Sequence, residues 1–519
     1  MNMLIPSFTN TQVILLAAAG IAFLSSLFFQ LRRKEFLSVG FLFITALLVY
    51  SFAALLDPFL NLWDERFHAL VAKNMIHHPL KPTLYDNPVA DMAYDRWDRY
   101  TIWLHKQPLF LWQIALSYKI FGVSEFSLRV PDIVLGAALV FAVYRSGKLL
   151  VNPHVGYLAG VLSISTLYFI ELVAGRQEVD HNDFTFMVYV SLSLWALIEY
   201  HVTHKAIWIY LIGAFSGLAI LCKWLVGLLV YLGWFIVNLL QKKYRMSDYR
   251  TIIIALLITF TVAVPWQILT FVWYPTEALK ALNFNLFHFT MPLDGHRGTF
   301  WYHFENFDVI YGMLASFFIV PAFYLLYKRS KDKAMVISSI CMAGAVYLFF
   351  SLAETRMPSF PIVVSIIIFI AFAALLDSVW QYVSQWIGNT DIRSVLFGVL
   401  VITVVALRFD IGLLKEKHST TDAENSYSQM LVHNKAVFQS LNLPDNAVLF
   451  NVKGRHYIEA MFYTGVPAYN FIPTFKQYQD LIAKGQRIAI IRPENSELPT
   501  YLLNDPAIII INRTITGYD

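Results

Sequence analysis

Residues 241–270 read QKKYRMSDYRTIIIALLITFTVAVPWQILT. Lys242, Lys243, Arg245 and Arg250 crowd the first part, and residues 251–270 carry no charged side chain. An apolar helix of that length rises about 30 Å, the thickness of a bilayer's hydrocarbon core. Lys and Arg packed into a short loop stay on the cytoplasmic side. This stretch therefore predicts a membrane-spanning helix that runs from inside to outside.

The same reading extends along the chain. Apolar runs recur near 11–30, 36–56, 132–150, 155–173, 184–200, 206–222, 225–240, 334–352, 358–377 and 394–411. Composition agrees: 57% of residues are hydrophobic and 14% charged, against roughly 45–50% and ~25% in a soluble domain. Arg32–Lys34, Arg145 with Lys148, His204 with Lys205, and Lys328–Lys333 mark further inside loops. The expected fold is an all-α polytopic membrane bundle of about 12–13 transmembrane helices, with both termini outside. The run Val13–Phe29 lacks a basic lead and a small-residue cleavage site, so it reads as a retained helix. Segment 108–121 would span only about 21 Å and reads as interfacial or re-entrant.

Two long loops, 57–107 and 271–307, fall outside. They are rich in acidic and aromatic residues, while the Lys/Arg-dense loops fall inside. Residues 1–413 form the membrane domain. From 414 to 519 the hydropathy drops and short β-rich runs appear at Ala447–Val452, Arg487–Ile491 and Ala507–Ile511. Helix-like sequence such as Thr474–Lys484 lies between them. This alternation predicts a small α/β domain on the outer face. The net charge of +4 sits in loops and points to no nucleic acid. Cys222 and Cys341 lie in apolar runs without metal-ligand spacing.

Ionisable residues gather at the outer face. Asp64 and Glu65 open a stretch with Phe67, Val71 and Met75 at helical spacing. This predicts an amphipathic helix at the membrane surface. Its carboxylates are either a helix start favoured by the dipole or a base near the membrane plane. His105 and Lys106 precede Pro108. Lys106 is either a snorkelling anchor or a phosphate ligand. Arg176, Glu178, Asp180, His181 and Asp183 crowd the end of one crossing, which marks a functional site. Lys223 and Arg356 are lone cations between apolar runs, expensive there unless they meet an anion. His288, Asp294, His296, Arg297, Trp301, Tyr302 and His303 fill the second outer loop, in no metal-ligand pattern. Outer cations together with outer carboxylates imply an anionic substrate and an acid/base step.

The order of these motifs over about residues 55–375 resembles the GT-C membrane glycosyltransferases, in the branch of protein O-mannosyltransferases and lipid A aminoarabinose transferases. The resemblance rests on Asp64-Glu65 with Ala69, Ala72 and Met75, then Lys106-Gln107-Pro108-Leu109, then Phe121 to Phe126 and Arg129-Val130-Pro131. It continues with Gly175-Arg176 and Asp180, Leu218-Ala219 with Lys223, Pro265-Trp266, His296 to Tyr302, and Arg356-Met357-Pro358. His68 stands where the family usually has Tyr, Gln107 replaces a proline, and Arg356 stands where Lys is common; these departures bear on donor and acceptor.

The resemblance implies an inverting transfer of a sugar from a polyprenyl-phosphate carrier to a hydroxyl or phosphate on a protein or a lipid/glycan. Asp64 would be the base, with Glu65 and Asp180 as further catalytic carboxylates. Lys106, Arg176, Lys223 and Arg356 would hold the carrier phosphate. His68, His105, Asp183, His296 and Tyr302 are substrate-site candidates. No metal or other cofactor is expected. The partners implied are the carrier-linked donor, its acceptor and membrane lipid. The location implied is a bacterial inner membrane, with the site and C-terminal domain facing the periplasm. Two rivals remain: a transporter or lipid flippase, which predicts paired repeats and broken helices at mid-membrane, and a non-catalytic membrane protein whose C-terminal domain binds glycan or a partner.

Overall fold

The computed structural model describes residues 8–90, 96–177, 180–422, 425–493 and 497–517, apart from the side chains of Ser247 and Asp248. Glu178 lies outside the described residues. The chain is mostly helical. Among the described residues, nine helical stretches are long and apolar enough to cross a bilayer, or up to eleven when two bent pairs each count as one crossing. The stretch Ile207–Leu240 folds back on itself. Its first arm ends at Lys223, which pairs with Asp183 at the start of helix Asn182–Thr203. After its second arm, the Gln241 amide lies 3.0 Å from His201, at the other end of that helix. The 3-10 turn Trp224–Leu228 reverses the direction. Among the described residues the bundle thus has nine to eleven candidate crossings, a polytopic helical bundle as the hydropathy pattern predicts.

Small residues let the helices close on one another, as in membrane bundles generally. A Cβ on Gly156 would lie 2.4 Å from the Tyr144 carbonyl oxygen, so helices Glu125–Leu150 and Pro153–Ile164 meet backbone to backbone. The latter helix breaks by 51° before Leu167–Val173. Ser165 and Thr166 donate their hydroxyls to the carbonyls of Val161 and Leu162, which loosens the helical ladder. Arg408 then donates to the Thr166 hydroxyl at 2.8 Å.

Several charged residues in the bundle are paired. At the face opposite the site, Arg329 meets Asp377 at 2.5 Å, Arg145 meets Glu199 at 2.7 Å, and Lys148 meets Glu35.

The C-terminal part contains three parallel strands: β1 (Ala447–Phe450), β2 (Arg487–Ile491) and β3 (Ile509–Ile511). They are ordered β1-β2-β3, with Leu449 opposite Ala489 and Ala489 opposite Ile509. Parallel strands covered on both faces read as continuous apolar runs, as these do. Helix Phe475–Ala483 connects the first two strands. Thr474 and Gln477 cap it reciprocally, as a capping box should.

This domain does not stand apart. Its core is continuous with that of the first long loop: Phe67, Trp97, Trp103, Phe110 and Tyr118 pack in one cluster with Tyr457, Ile458, Phe462 and the strands. The expected surface helix forms as Asp64–Met75, but it is enclosed. Arg66 reaches Glu459 at 3.3 Å, and Lys73 donates to the Phe462 carbonyl at 2.7 Å. Its polar face is covered by the C-terminal domain, so it does not lie on a membrane surface. Helix Pro108–Phe121 joins the same layer through Phe110, Leu111 and Ile114, and at 14 residues it is shorter than the candidate crossings.

Candidate active site

A cavity of about 620 Å³ opens between this layer and the membrane bundle. Asp64, Lys106, Asp180, Asp183 and Lys223 line it together, although they come from four separate parts of the chain. Each is placed by a helix end. Asp64 is the first residue of helix Asp64–Met75. Lys106 precedes helix Pro108–Phe121, whose Pro108 occupies the first turn, where a missing N–H costs nothing. Asp180 accepts from the backbone N–H of Asn182 at 3.1 Å, just before helix Asn182–Thr203. Lys223 ends helix Ile207–Lys223, and the Asn182 amide donates to the carbonyl of its neighbour Cys222 at 3.1 Å.

The charges form one chain. The Lys106 ammonium lies 2.8 Å from Asp180 and 3.2 Å from Asp64. Lys223 lies 3.6 Å from the same Asp180 oxygen and pairs closely with Asp183. The Ser359 hydroxyl donates to the other Asp183 oxygen at 2.5 Å. Two carboxylates that share a cation are driven to different proton affinities. Burial pushes the Asp64 carboxyl up to about 6; Lys106 resists this and the Asp180 charge adds to it. Burial also opposes the Asp180 charge, but Lys106 and Lys223 outweigh it and hold that carboxyl well below its ordinary range. Burial disfavours the Lys106 ammonium, yet Asp180 and Asp64 more than compensate and raise it. Asp180 is therefore a fixed anion, Lys106 a fixed cation, and Asp64 a carboxylate poised near neutrality.

His105 and His288 beside the cluster are neutral. Burial holds His105 well below its usual value, with Lys106 adding to the effect, and takes His288 down to about 3 with help from Lys223 and Lys106. His105 stacks on Trp97 with centroids 4.3 Å apart, and both rings line the cavity. His296 lines it too. Beyond the charges the wall turns apolar, through Leu225, Leu229, Leu232, Phe289, Val346 and Phe349.

Several residues singled out from the sequence are placed elsewhere. Glu65 does not reach the cavity. Its carboxylate takes two hydrogen bonds from Arg129, at 2.7 and 3.1 Å, and one from the Asn61 N–H at 2.6 Å. Gly175, at φ +77°, leaves no room for a Cβ, which would sit 2.2 Å from the Glu65 carboxylate. Adjacent residues at a helix start point in different directions, so Asp64 faces the cavity and Glu65 faces the bundle. Arg176 is also away from the cavity. Its guanidinium lies 3.7 Å from Asp57 and 4.1 Å from the Tyr427 ring centre, and it donates to the Lys417 carbonyl and the Ser428 hydroxyl. It ties the bundle to the C-terminal domain. Arg356 donates to the carbonyls of Gly298 at 2.7 Å and Ser351 at 3.2 Å, so it clamps the second long loop beside the cavity. Tyr302 stands against Gly298 in that loop, outside the lining. His68 lies under the cavity floor, with Nε2 3.9 Å from Asp180 and Nδ1 2.7 Å from His181 Nε2.

Other lining residues carried no assigned role in the sequence reading. Ser359 follows the quoted Arg356-Met357-Pro358, and only that proximity could have flagged it. Trp63 and Trp224 flank Asp64 and Lys223, and each has φ +67°. A bulky residue held in such a region is strained by on the order of 1–3 kcal/mol.

Residues 105–268 match the family model for dolichyl-phosphate-mannose-protein mannosyltransferases. An uncharacterized protein of Aquifex aeolicus is 32% identical over 160 residues, a stretch that is 31% of this chain and 29% of that one. Among solved structures, ArnT from Cupriavidus metallidurans bound to undecaprenyl phosphate superimposes with TM-score 0.59 at 16% identity, over 90% of this chain and 88% of that one. The oligosaccharyltransferase AglB from Archaeoglobus fulgidus, in complex with an inhibitory peptide and a dolichol-phosphate, gives TM-score 0.51 at 12% identity, over 82% of this chain and 63% of that one. The fold is that of the GT-C membrane glycosyltransferases, and the chain is an integral membrane protein of that architecture. The resemblance read from the motif order holds at the level of fold, and over 105–268 at the level of the family model.

Proposed function

We propose that this chain transfers a sugar from a polyprenyl-phosphate carrier to a hydroxyl or phosphate acceptor on a protein, lipid or glycan. The observation that carries this reading is the two-part cavity. A cluster with Lys106 and Lys223 stands at the head of an apolar wall of Leu225, Leu229, Leu232 and Phe349. An amphiphile with an anionic head and a hydrocarbon tail matches that division, and ligand pockets are typically apolar with a few placed polar groups. The undecaprenyl phosphate bound in the ArnT structure is such a molecule.

The reaction is a single displacement with inversion. The acceptor oxygen attacks the anomeric carbon as its proton passes to the Asp64 carboxylate. The bond from the anomeric carbon to the phosphate oxygen breaks, and its electron pair leaves with the polyprenyl phosphate. A base whose proton affinity lies near the working pH suits this step. Lys106 and Lys223 turn from Asp180 and Asp183 toward the phosphate as its charge grows, the largest change in charge on the path. Fixed cations of this kind serve the leaving group without a metal, so transfer proceeds in the presence of a chelator. The site and C-terminal domain face outward, at a bacterial inner membrane. Membranes containing the chain should move labelled sugar from a polyprenyl phosphate into an acceptor fraction. Label that stays on the carrier across a panel of hydroxyl and phosphate acceptors, with the protein folded, contradicts the reading.

A further inference from the structure

Trp63 and Trp224 sit on backbone suited to glycine. Trp63 has φ 67° and ψ −136°, and Trp224 has φ 67° and ψ −158°. An L-residue's Cβ crowds the backbone there, and the region is essentially reserved for glycine. Trp63 directly precedes Asp64, and Trp224 directly follows Lys223. Both half-buried rings line the cavity. At the two ends of the charge cluster, then, the chain keeps a large aromatic side chain where glycine would relieve the backbone. Trp63 is also held from behind. The Arg455 guanidinium lies 6.0 Å from its ring centre and pairs with Asp98 at 2.8 Å, so the C-terminal domain fixes this indole.

We propose that Trp63 and Trp224 are specificity-determining walls for the donor's sugar, a pyranose whose C–H face stacks on indole. The inference rests on the carrier reading above. Indole offers a broad, rigid face with negative charge density, which attracts the polarised C–H bonds of a pyranose while the sugar's hydroxyls remain at the rim. Trp224 stands between Lys223 and the apolar wall beginning at Leu225. It therefore adjoins the place where phosphate, prenyl chain and sugar meet. Trp63 adjoins Asp64, where the anomeric carbon is attacked. A sugar joined to the phosphate passes both rings, whereas the bare carrier meets Trp224 only at its phosphate–prenyl junction and need not pass Trp63.

The test uses the full chain in detergent, with undecaprenyl phosphate and its mannosyl and glucosyl esters as probes, read by shifts in unfolding temperature. The proteins are wild type, Trp63→Gly, Trp224→Gly and the ring-retaining Trp63→Phe and Trp224→Phe. The glycine variants should unfold at or above the wild-type temperature. Trp63→Gly should bind undecaprenyl phosphate as wild type does, Trp224→Gly should lose less affinity for it than for the sugar ester, and both should lose about tenfold or more in affinity for the ester that wild type prefers. The phenylalanine variants should keep most of that affinity. Parallel loss for bare and sugar-bearing lipid would mean that the rings pack on the prenyl chain, which overturns the proposal. No loss overturns it as well. A glycine variant too unstable to purify contradicts its premise. Wild type that binds undecaprenyl phosphate without preferring either ester overturns this inference alone, and wild type that binds none of the lipids removes the carrier reading with it.

Discussion

The Lys106 ammonium lies 2.8 Å from the Asp180 carboxylate, although the two residues come from different outer segments of the chain. This pair keeps Asp180 ionised, while burial raises the proton affinity of Asp64. Changing either partner should therefore show itself through Asp64.

Activity should fall as pH drops through about 6, because the base is active only as the carboxylate and burial raises it to that value. The neutral histidines His105 and His288 add no limb near neutrality. A profile of transfer rate against pH from 4.5 to 8 checks this. A flat profile across pH 5–7 would sink the assignment of Asp64.

Asp180→Asn removes the negative charge that raises Asp64 and leaves Lys106 to Asp64 alone. The acid limb should move to lower pH. Lys106→Met removes the cation that restrains Asp64, so the limb should move to higher pH. It should also slow transfer by about 10²–10³-fold, the usual effect of losing one preorganised group at a developing charge. The opposite directions of the two shifts distinguish this cluster from a purely structural ion pair.

Glu65 and Arg129 form a buried pair, with side chains 2% and 0% exposed. Removing one partner strands the other charge, a loss of about 3–5 kcal/mol. Arg129→Met should lower the unfolding temperature in detergent sharply, and Glu65→Gln less so because it keeps hydrogen-bonding capacity. Where folded protein is recovered, carrier binding should be close to wild type. Gly175→Ala should behave like Arg129→Met, since its Cβ would meet the Glu65 carboxylate.

Truncation after residue 413 should not yield a stable membrane unit. It would bare Phe67, Trp97 and Trp103, which pack with Tyr457 and Phe462. It would also strip Asp57 of His418 at 2.8 Å. Expression of residues 1–413 with a fluorescent tag checks this by size-exclusion profile, where a sharp monodisperse peak would contradict it.

Most of the fold was legible because its signals are local. Apolar length and Lys/Arg bias determine each crossing, and the three short apolar runs after 446 became β1, β2 and β3 with small changes at their ends. Lys223 was legible as a charge too costly to leave unpaired and Asp180 as part of a dense ionisable cluster, while Asp64 and Lys106 took their site roles from the order of the motifs. What stayed hidden was direction and distant partnership. Glu65 reads like Asp64 in sequence, but its orientation depends on Arg129 and on the absence of a side chain at Gly175. Arg176 reads as a free cation until Asp57 and the 417–428 segment close around it. The strained tryptophans have no sequence signal at all, since φ is not written in residue type.

The central claim is that Asp64 is the base of a sugar transfer from a polyprenyl phosphate. It is tested most directly by transfer of labelled sugar in membranes, wild type against Asp64→Asn at equal expression. Asparagine keeps the size and hydrogen bonding of the side chain but cannot take the proton, and the expected loss is about 10²–10⁴-fold with carrier binding retained. Equal transfer by the two proteins would contradict the account.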